Sequence, residues 1–155
     1  EERDTTLVYV GGSIATPVEG LSVGLAFDYR FNGPIGTTFV APPPNPEDSW
    51  AWAGALYVTF QLSEKWKTAL RADYTRGSDG TWFDGGTAGV SDQQNELGSL
   101  TATIDYALWA NVITRAEVRW DHAFSDDKPY GGNAAESIDP DEDAVTLALN
   151  VIYKF

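Results

Sequence analysis

The chain has 155 residues, with 10 Lys and Arg against 23 Asp and Glu, and its formal net charge of −13 makes a nucleic-acid phosphate backbone a disfavoured partner. With 43% hydrophobic and 21% charged residues it is too apolar for a disordered acidic chain, and with no cysteine it has neither a disulfide framework nor a Cys-ligated metal or redox centre. No apolar run approaches the roughly eighteen residues that a transmembrane helix needs, which leaves transmembrane β-strands open.

Period-two alternation predicts seven strands. The first covers residues 5–16. The second, 21–32, is the clearest: Leu21, Val23, Leu25, Phe27, Tyr29 and Phe31 alternate with Ser22, Gly24, Ala26, Asp28 and Arg30. The third covers 50–62, the fourth 66–76, the fifth 97–108 and the sixth 112–122. In the seventh, 144–155, Val145, Leu147, Leu149, Val151, Tyr153 and Phe155 share one face. Thr146, Ala148, Asn150 and Lys154 share the other, where Ile152 is the apolar exception. Strands of about ten to thirteen residues suit a tilted bilayer crossing, whereas soluble proteins use about five to six. Fifteen Gly and eight Pro leave no window with a helical stripe.

The connections alternate in length. Those at 17–20, 63–65 and 109–111 are tight, and those at 33–49, 77–96 and 123–143 are long and rich in Gly, Pro and Asp. Short turns on one side and long loops on the other are the asymmetry of outer-membrane barrels. Segments 37–40 and 81–84 are the only further strand candidates.

Alternation does not say which face meets lipid, and the aromatics supply the answer. Phe60, Trp66, Tyr106, Tyr153 and Phe155 gather near the short turns, and Tyr29, Phe31, Trp50, Trp52, Tyr74 and Trp120 near the long loops, with aliphatic residues between. Two aromatic girdles around an aliphatic band predict that Leu25, Phe27, Leu70, Ile104, Val118, Leu147 and Val151 face lipid. The opposite face carries Asp28, Arg30, Lys67, Arg71, Asp73, Asp105, Arg115, Glu117, Arg119, Asp121 and Lys154, among Thr59, Gln61, Thr75, Thr101, Thr103 and Asn150. These are the candidate lumen residues; in a soluble barrel they would be a solvated exterior. Opposite charges two residues apart, as in Asp28 and Arg30, Arg71 and Asp73, or Arg115 through Asp121, either set pore selectivity or neutralise one another in a narrow barrel.

The last residues, Leu149-Asn150-Val151-Ile152-Tyr153-Lys154-Phe155, end on an aromatic preceded by alternating apolar positions. This resembles the C-terminal β-signal by which the barrel-assembly machinery recognises its substrates, with Val151, Tyr153 and Phe155 as the signal residues. The run Leu100-Thr101-Ala102-Thr103-Ile104-Asp105-Tyr106, followed by Leu108-Trp109-Ala110-Asn111-Val112-Ile113-Thr114-Arg115 and Glu117-Val118-Arg119-Trp120-Asp121-His122, resembles the closing hairpin of the β-barrel porins called OmpL-like or porin-2. The resemblance covers mainly the C-terminal two-thirds and implies a porin fold; members of that family are longer than this chain.

Other constellations carry less. The single histidine, His122, sits between Asp121 and Ser125 in a weak imitation of a lipase pair. It lies on the lipid-facing parity without a third orienting group, so no enzyme is expected. Asp139, Asp141 and Asp143 imitate the opening of an EF-hand, but Ala144 and Asn150 stand where its Gly and bidentate Glu belong. The acidic loops, with Asp79, Asp84, Asp92, Glu96, Asp126, Asp127, Glu136 and Glu142, read as solvated surface or a loose divalent-cation site. Pro42-Pro43-Pro44-Asn45-Pro46 reads as an extended surface loop.

The expectation is therefore a single all-β domain over residues 1–155: an antiparallel, up-and-down transmembrane β-barrel segment of about seven strands in a bacterial outer membrane, with no cofactor. The expected function is passive diffusion of small hydrophilic solutes, the alternative being a plugged structural or adhesive barrel whose acidic loops bind a partner or divalent cations. Glu1 in place of an initiator Met is expected of a processed or excised chain. Bacterial barrels have even strand counts, so seven strands are expected to be the C-terminal part of a larger barrel, completed by another β-segment or chain beside residues 7–15.

Overall fold

The computed structural model describes residues 5–32, 49–77, 96–124, 128–133 and 138–155. The strands are β1 (Thr5–Ala15), β2 (Leu21–Asn32), β3 (Ser49–Gln61), β4 (Trp66–Gly77), β5 (Glu96–Trp109), β6 (Val112–Ala123), β7 (Tyr130–Asn133), β8 (Ile138–Asp141) and β9 (Asp143–Tyr153). Seven of them form one antiparallel sheet in the order β1-β2-β3-β4-β5-β6-β9. All seven expected strands are present, with ends within two residues of the alternation pattern. The pair β7 and β8 forms a separate small hairpin inside the last long loop. Its Tyr-Gly-Gly-Asn and Ile-Asp-Pro-Asp sequences lack an alternating face, which is why alternation missed it. Segments 37–40 and 81–84, Ser125, the proline run and the loop acids Asp79, Asp84, Asp92, Asp126, Asp127 and Glu136 lie outside the described residues.

Each strand pairs with its chain neighbour, apart from β6, which passes over the small hairpin to β9. The ladders run the full strand lengths of eleven to fourteen residues, interrupted only by a bulge between Ala107 and Trp109. The sheet is not closed: β1 and β9 are its two edges, and they do not pair with each other. The expectation that β1 is not closed by residues 144–155 therefore agrees with the topology.

No hydrophobic core forms on either side. Among the described residues only Ala51 and Ala123 are buried apolar side chains. Most leucines and valines stand exposed on one face, Leu25, Leu56, Leu70, Leu100, Val118 and Leu147 among them, while Leu7 stands exposed on the other, opposite Arg30. The polar face is the more covered one: the Asp73 side chain is 19% exposed and Asp105 15%, and Thr101 is buried.

The tight turns have local causes. Ser63 Oγ accepts from the backbone N–H of Lys65 at 3.4 Å and of Trp66 at 3.2 Å, closing the β3–β4 turn. Before β2, Gly20 adopts φ +78°, which L side chains avoid. Its carbonyl accepts from Gln61 N–H at 2.9 Å, tying the turn to β3. A Cβ there would stand 2.8 Å from the Gln61 carbonyl oxygen, whereas one at Gly12 would meet nothing within 4 Å. Gly20→Ala is therefore expected to lower stability by about 1–2 kcal/mol, seen as an earlier denaturant midpoint, and Gly12→Ala to be close to neutral.

Candidate functional site

The register sorts the side chains into two faces. Along one run Val8, Val10, Ile14, Leu25, Phe27, Leu56, Val58, Leu70, Ile104, Val118, Leu147 and Val151, all of one parity across the six ladders. The seven residues expected to face lipid all lie here. On this face the aromatics touch in a continuous row near the long loops. Phe27 stacks on Trp52 at 6.1 Å between centroids, Trp52 meets Tyr74 at 5.3 Å, and Tyr74 meets Phe124 at 5.6 Å. Phe124 meets His122 edge-on at 4.9 Å, and His122 stacks on Trp120 at 5.5 Å. Phe124, which alternation left in a loop, folds back over Gly98, where a Cβ would stand 2.7 Å from its ring. The glycine opens the gap in the row that this ring fills.

Three polar tips in the row have partners. Tyr74 Oη donates to Glu96, Trp120 Nε1 donates to Asp143 at 2.7 Å, and His122 Nδ1 lies 2.9 Å from the same carboxylate. His122 is thus a member of the aromatic row on the exposed face, facing away from the charged cluster. Near the short turns Trp66 and Tyr106 pack at 4.6 Å, with Lys65 over the Tyr106 ring at 6.0 Å. Trp66 and Tyr74 on β4 are separated by roughly 26 Å of strand, or about 20 Å of height for a strand tilted as in barrels, close to the apolar band of such proteins.

The opposite face gathers most of the candidate site residues on β4, β5 and β6 in horizontal rows. Lys67, Asp105 and Arg115 stand in one row, Ala69, Thr103 and Glu117 in the next, then Arg71, Thr101 and Arg119, then Asp73, Ser99 and Asp121. Arg115 donates both Nε and Nη2 to Asp105, at 2.7 and 2.9 Å. Arg119 grips Asp121 from Nε and Nη2, the shortest contact being 2.6 Å, and Arg71 Nε donates to Asp73 at 2.7 Å. Ser99 Oγ donates to Asp73 at 3.0 Å, and Thr103 Oγ1 to Glu117 at 3.0 Å. The planar fork of arginine suits these bidentate carboxylate contacts and fixes both partners. Together with Tyr57 and Thr59, the first three of these rows line a groove of about 250 Å³.

Asp28 and Arg30 share this face but stand two strands away from the cluster, opposite Ala53 and Ala51 of β3. Around them the wall is made of small residues, Gly11, Ser13, Ser22, Gly24, Ala26 and Ala55, with Ser22 and Thr59 hydroxyls joined at 2.6 Å. Tyr9 and Tyr57 also point to this face, and Arg71 lies over the Tyr57 ring at 5.3 Å. Neither tyrosine was singled out from the sequence, although the parity of Tyr57 with Thr59 and Gln61 carries the signal. Beyond the sheet, burial pushes the Tyr130 phenol above its ordinary range, and the nearby Asp121 charge adds to the shift. The β7–β8 hairpin therefore brings Tyr130 near the upper end of the charged rows. Of the signal residues, Val151 and Tyr153 lie on the apolar face of β9, and Phe155 lies beyond its end, fully exposed.

No curated protein and no solved structure matches this chain. A family model does, the one described as "Putative beta-barrel porin-2, OmpL-like", and it spans residues 14–155. That span takes in nearly all of the sheet, so the match and the architecture describe the same object, and the chain belongs to the OmpL-like β-barrel porin-2 family.

Proposed function

We propose that this sheet is wall of an outer-membrane channel through which small hydrophilic solutes diffuse passively. The lumen would be lined by Asp28, Arg30, Lys67, Arg71, Asp73, Asp105, Arg115, Glu117, Arg119 and Asp121. One observation carries the proposal: the exposed apolar face lies between two aromatic belts, while the charged side chains gather along a groove on the opposite face. A soluble sheet buries its apolar face and solvates its charges; this sheet does the reverse, which suits lipid outside and water inside. Charge and width at the arginine and carboxylate rows would then select among solutes. Val151, Tyr153 and Phe155 are proposed as the signal read by the assembly machinery.

Closure belongs to the same proposal. Both edges are apolar on the outer face, with Ile14 72% and Leu149 76% exposed. Open edges in hydrocarbon leave backbone groups unpaired at several kcal/mol each. In an antiparallel sheet of seven strands the two edge strands run in the same direction. Antiparallel closure therefore needs an odd number of further strands between β9 and β1, from another segment or chain.

Stepwise conductance of the purified assembly in a planar bilayer tests the channel, and its absence would overturn it. Arg substituted for Leu70 or Leu147 is expected to cost about 2–4 kcal/mol in a denaturation series in lipid vesicles, and Ala148→Arg on the polar face much less; equal costs would reverse the assignment of faces. Replacing Arg115 and Arg119 by Gln removes two of the fixed positive charges of the groove and is expected to shift the reversal potential toward cation selectivity. An unchanged potential would leave those residues as structural ion pairs only.

A further inference from the structure

We propose that the row Arg71–Thr101–Arg119 is a binding station for the oxyanion group, carboxylate or phosphate, of a small solute moving along the groove. The location rests on the channel reading; the recognition chemistry rests on observations of its own. Arg71 stands opposite Thr101, and Thr101 opposite Arg119, in the β4–β5 and β5–β6 ladders. Two strand spacings set the arginine α-carbons roughly 10 Å apart, a span that two guanidinium arms can bridge over a small anion.

Thr101 is the sharper clue. It is 7% exposed, it lines the groove, and its Oγ1 is the one buried side-chain polar atom among the described residues with no hydrogen-bond partner. Buried hydroxyls nearly always have a partner. The neighbouring hydroxyls do: Thr103 donates to Glu117, Ser99 to Asp73, and Thr59 is joined to Ser22. An unpaired donor between two arginines is what an oxyanion site requires.

Both guanidinium groups are held in advance. Arg71 is fixed by Asp73 at its Nε and by the Tyr57 ring under its plane, so its terminal nitrogens engage no other described carboxylate. Arg119 is fixed by Asp121 through Nε and Nη2, leaving Nη1. Both line the same groove as Thr101, and the carboxylates that hold them reduce the side-chain freedom that binding would cost. The carboxylates also shape the choice of solute. Glu117 lies one row below and Asp73 and Asp121 one row above, so an oxyanion that carries hydroxyl or ammonium donors beside it matches the wall better than a bare, highly charged anion.

The test uses the purified assembly in detergent micelles, with inorganic phosphate followed by its ³¹P line broadening and, in a second arm, acetate by its ¹³C line. Saturable binding in either arm supports the site, and the arm that responds identifies the oxyanion. Thr101→Val keeps shape and every charge but removes the hydroxyl, and Arg71→Gln removes one arm; each is expected to weaken binding roughly tenfold. Lys65→Gln, in the β3–β4 turn away from the groove, is expected to leave it unchanged. Far-UV circular dichroism reports folding, and if Arg71→Gln does not fold, Thr101→Val decides. Absence of saturable binding, or Thr101→Val binding like the parent, would overturn the station. A protein that conducts without binding phosphate or acetate loses the station alone; one that binds without conducting loses the channel alone.

Discussion

Everything in this molecule depends on the backbone ladder. With two alanines as its only buried apolar side chains among the described residues, the sheet has no interior to condense around, so the usual driving force of globular folding has nothing to act on within the chain. What orders the strands is the pairing of N–H and C=O groups along ladders of eleven to fourteen residues. In hydrocarbon that pairing is compulsory, because water is not there as a competing partner. The same constraint explains the extreme neighbour-to-neighbour topology: each strand reaches its partner through the shortest connection on one side, and only the loops of the other side are free to lengthen.

Once the ladder is set, the pleat distributes chemistry between two media. A one-residue slip would send the leucines of the apolar face to the polar one, so register and face choice are a single decision. The aromatic row from Phe27 to Trp120 spans β2, β3, β4 and β6 and reinforces that register at the loop end, with Phe124 reaching over Gly98 to bridge β4 and β6. The polar atoms of Tyr74, Trp120 and His122 in this row are met by Glu96 and Asp143, so these rings combine apolar surface with hydrogen bonds along the sheet. Such amphipathic rings suit the boundary between lipid and water.

On the other face the charges are arranged rather than merely present. Asp105, Asp73 and Asp121 are each held by an arginine, two of them within the same strand as their partner. At these distances and partial burial the pairs orient one another more than they stabilise the sheet, since each costs desolvation in proportion to what it gains. Small residues on β1, β2 and β3 beside the charged cluster on β4, β5 and β6 make the wall asymmetric. The net charge of −13 is carried outside these rows: Lys67, Arg71, Arg115 and Arg119 balance Asp73, Asp105, Glu117 and Asp121 within them, and most of the excess acid belongs to the loops.

Alternation in the amino-acid sequence was enough to determine the seven long strands, their order of pairing through short turns, the two faces and the family resemblance, because a two-residue period and a tight turn are local properties of the chain. His122 was likewise placed on the apolar parity by counting alone. The tertiary structure decided what depends on atoms brought together from distant positions. Phe124 joined the belt because Gly98, far from it in sequence, leaves room for its ring. Tyr57 came under Arg71, and Thr101 between two arginines, through cross-strand register rather than spacing along the chain. The β7–β8 hairpin has no alternating face to announce it.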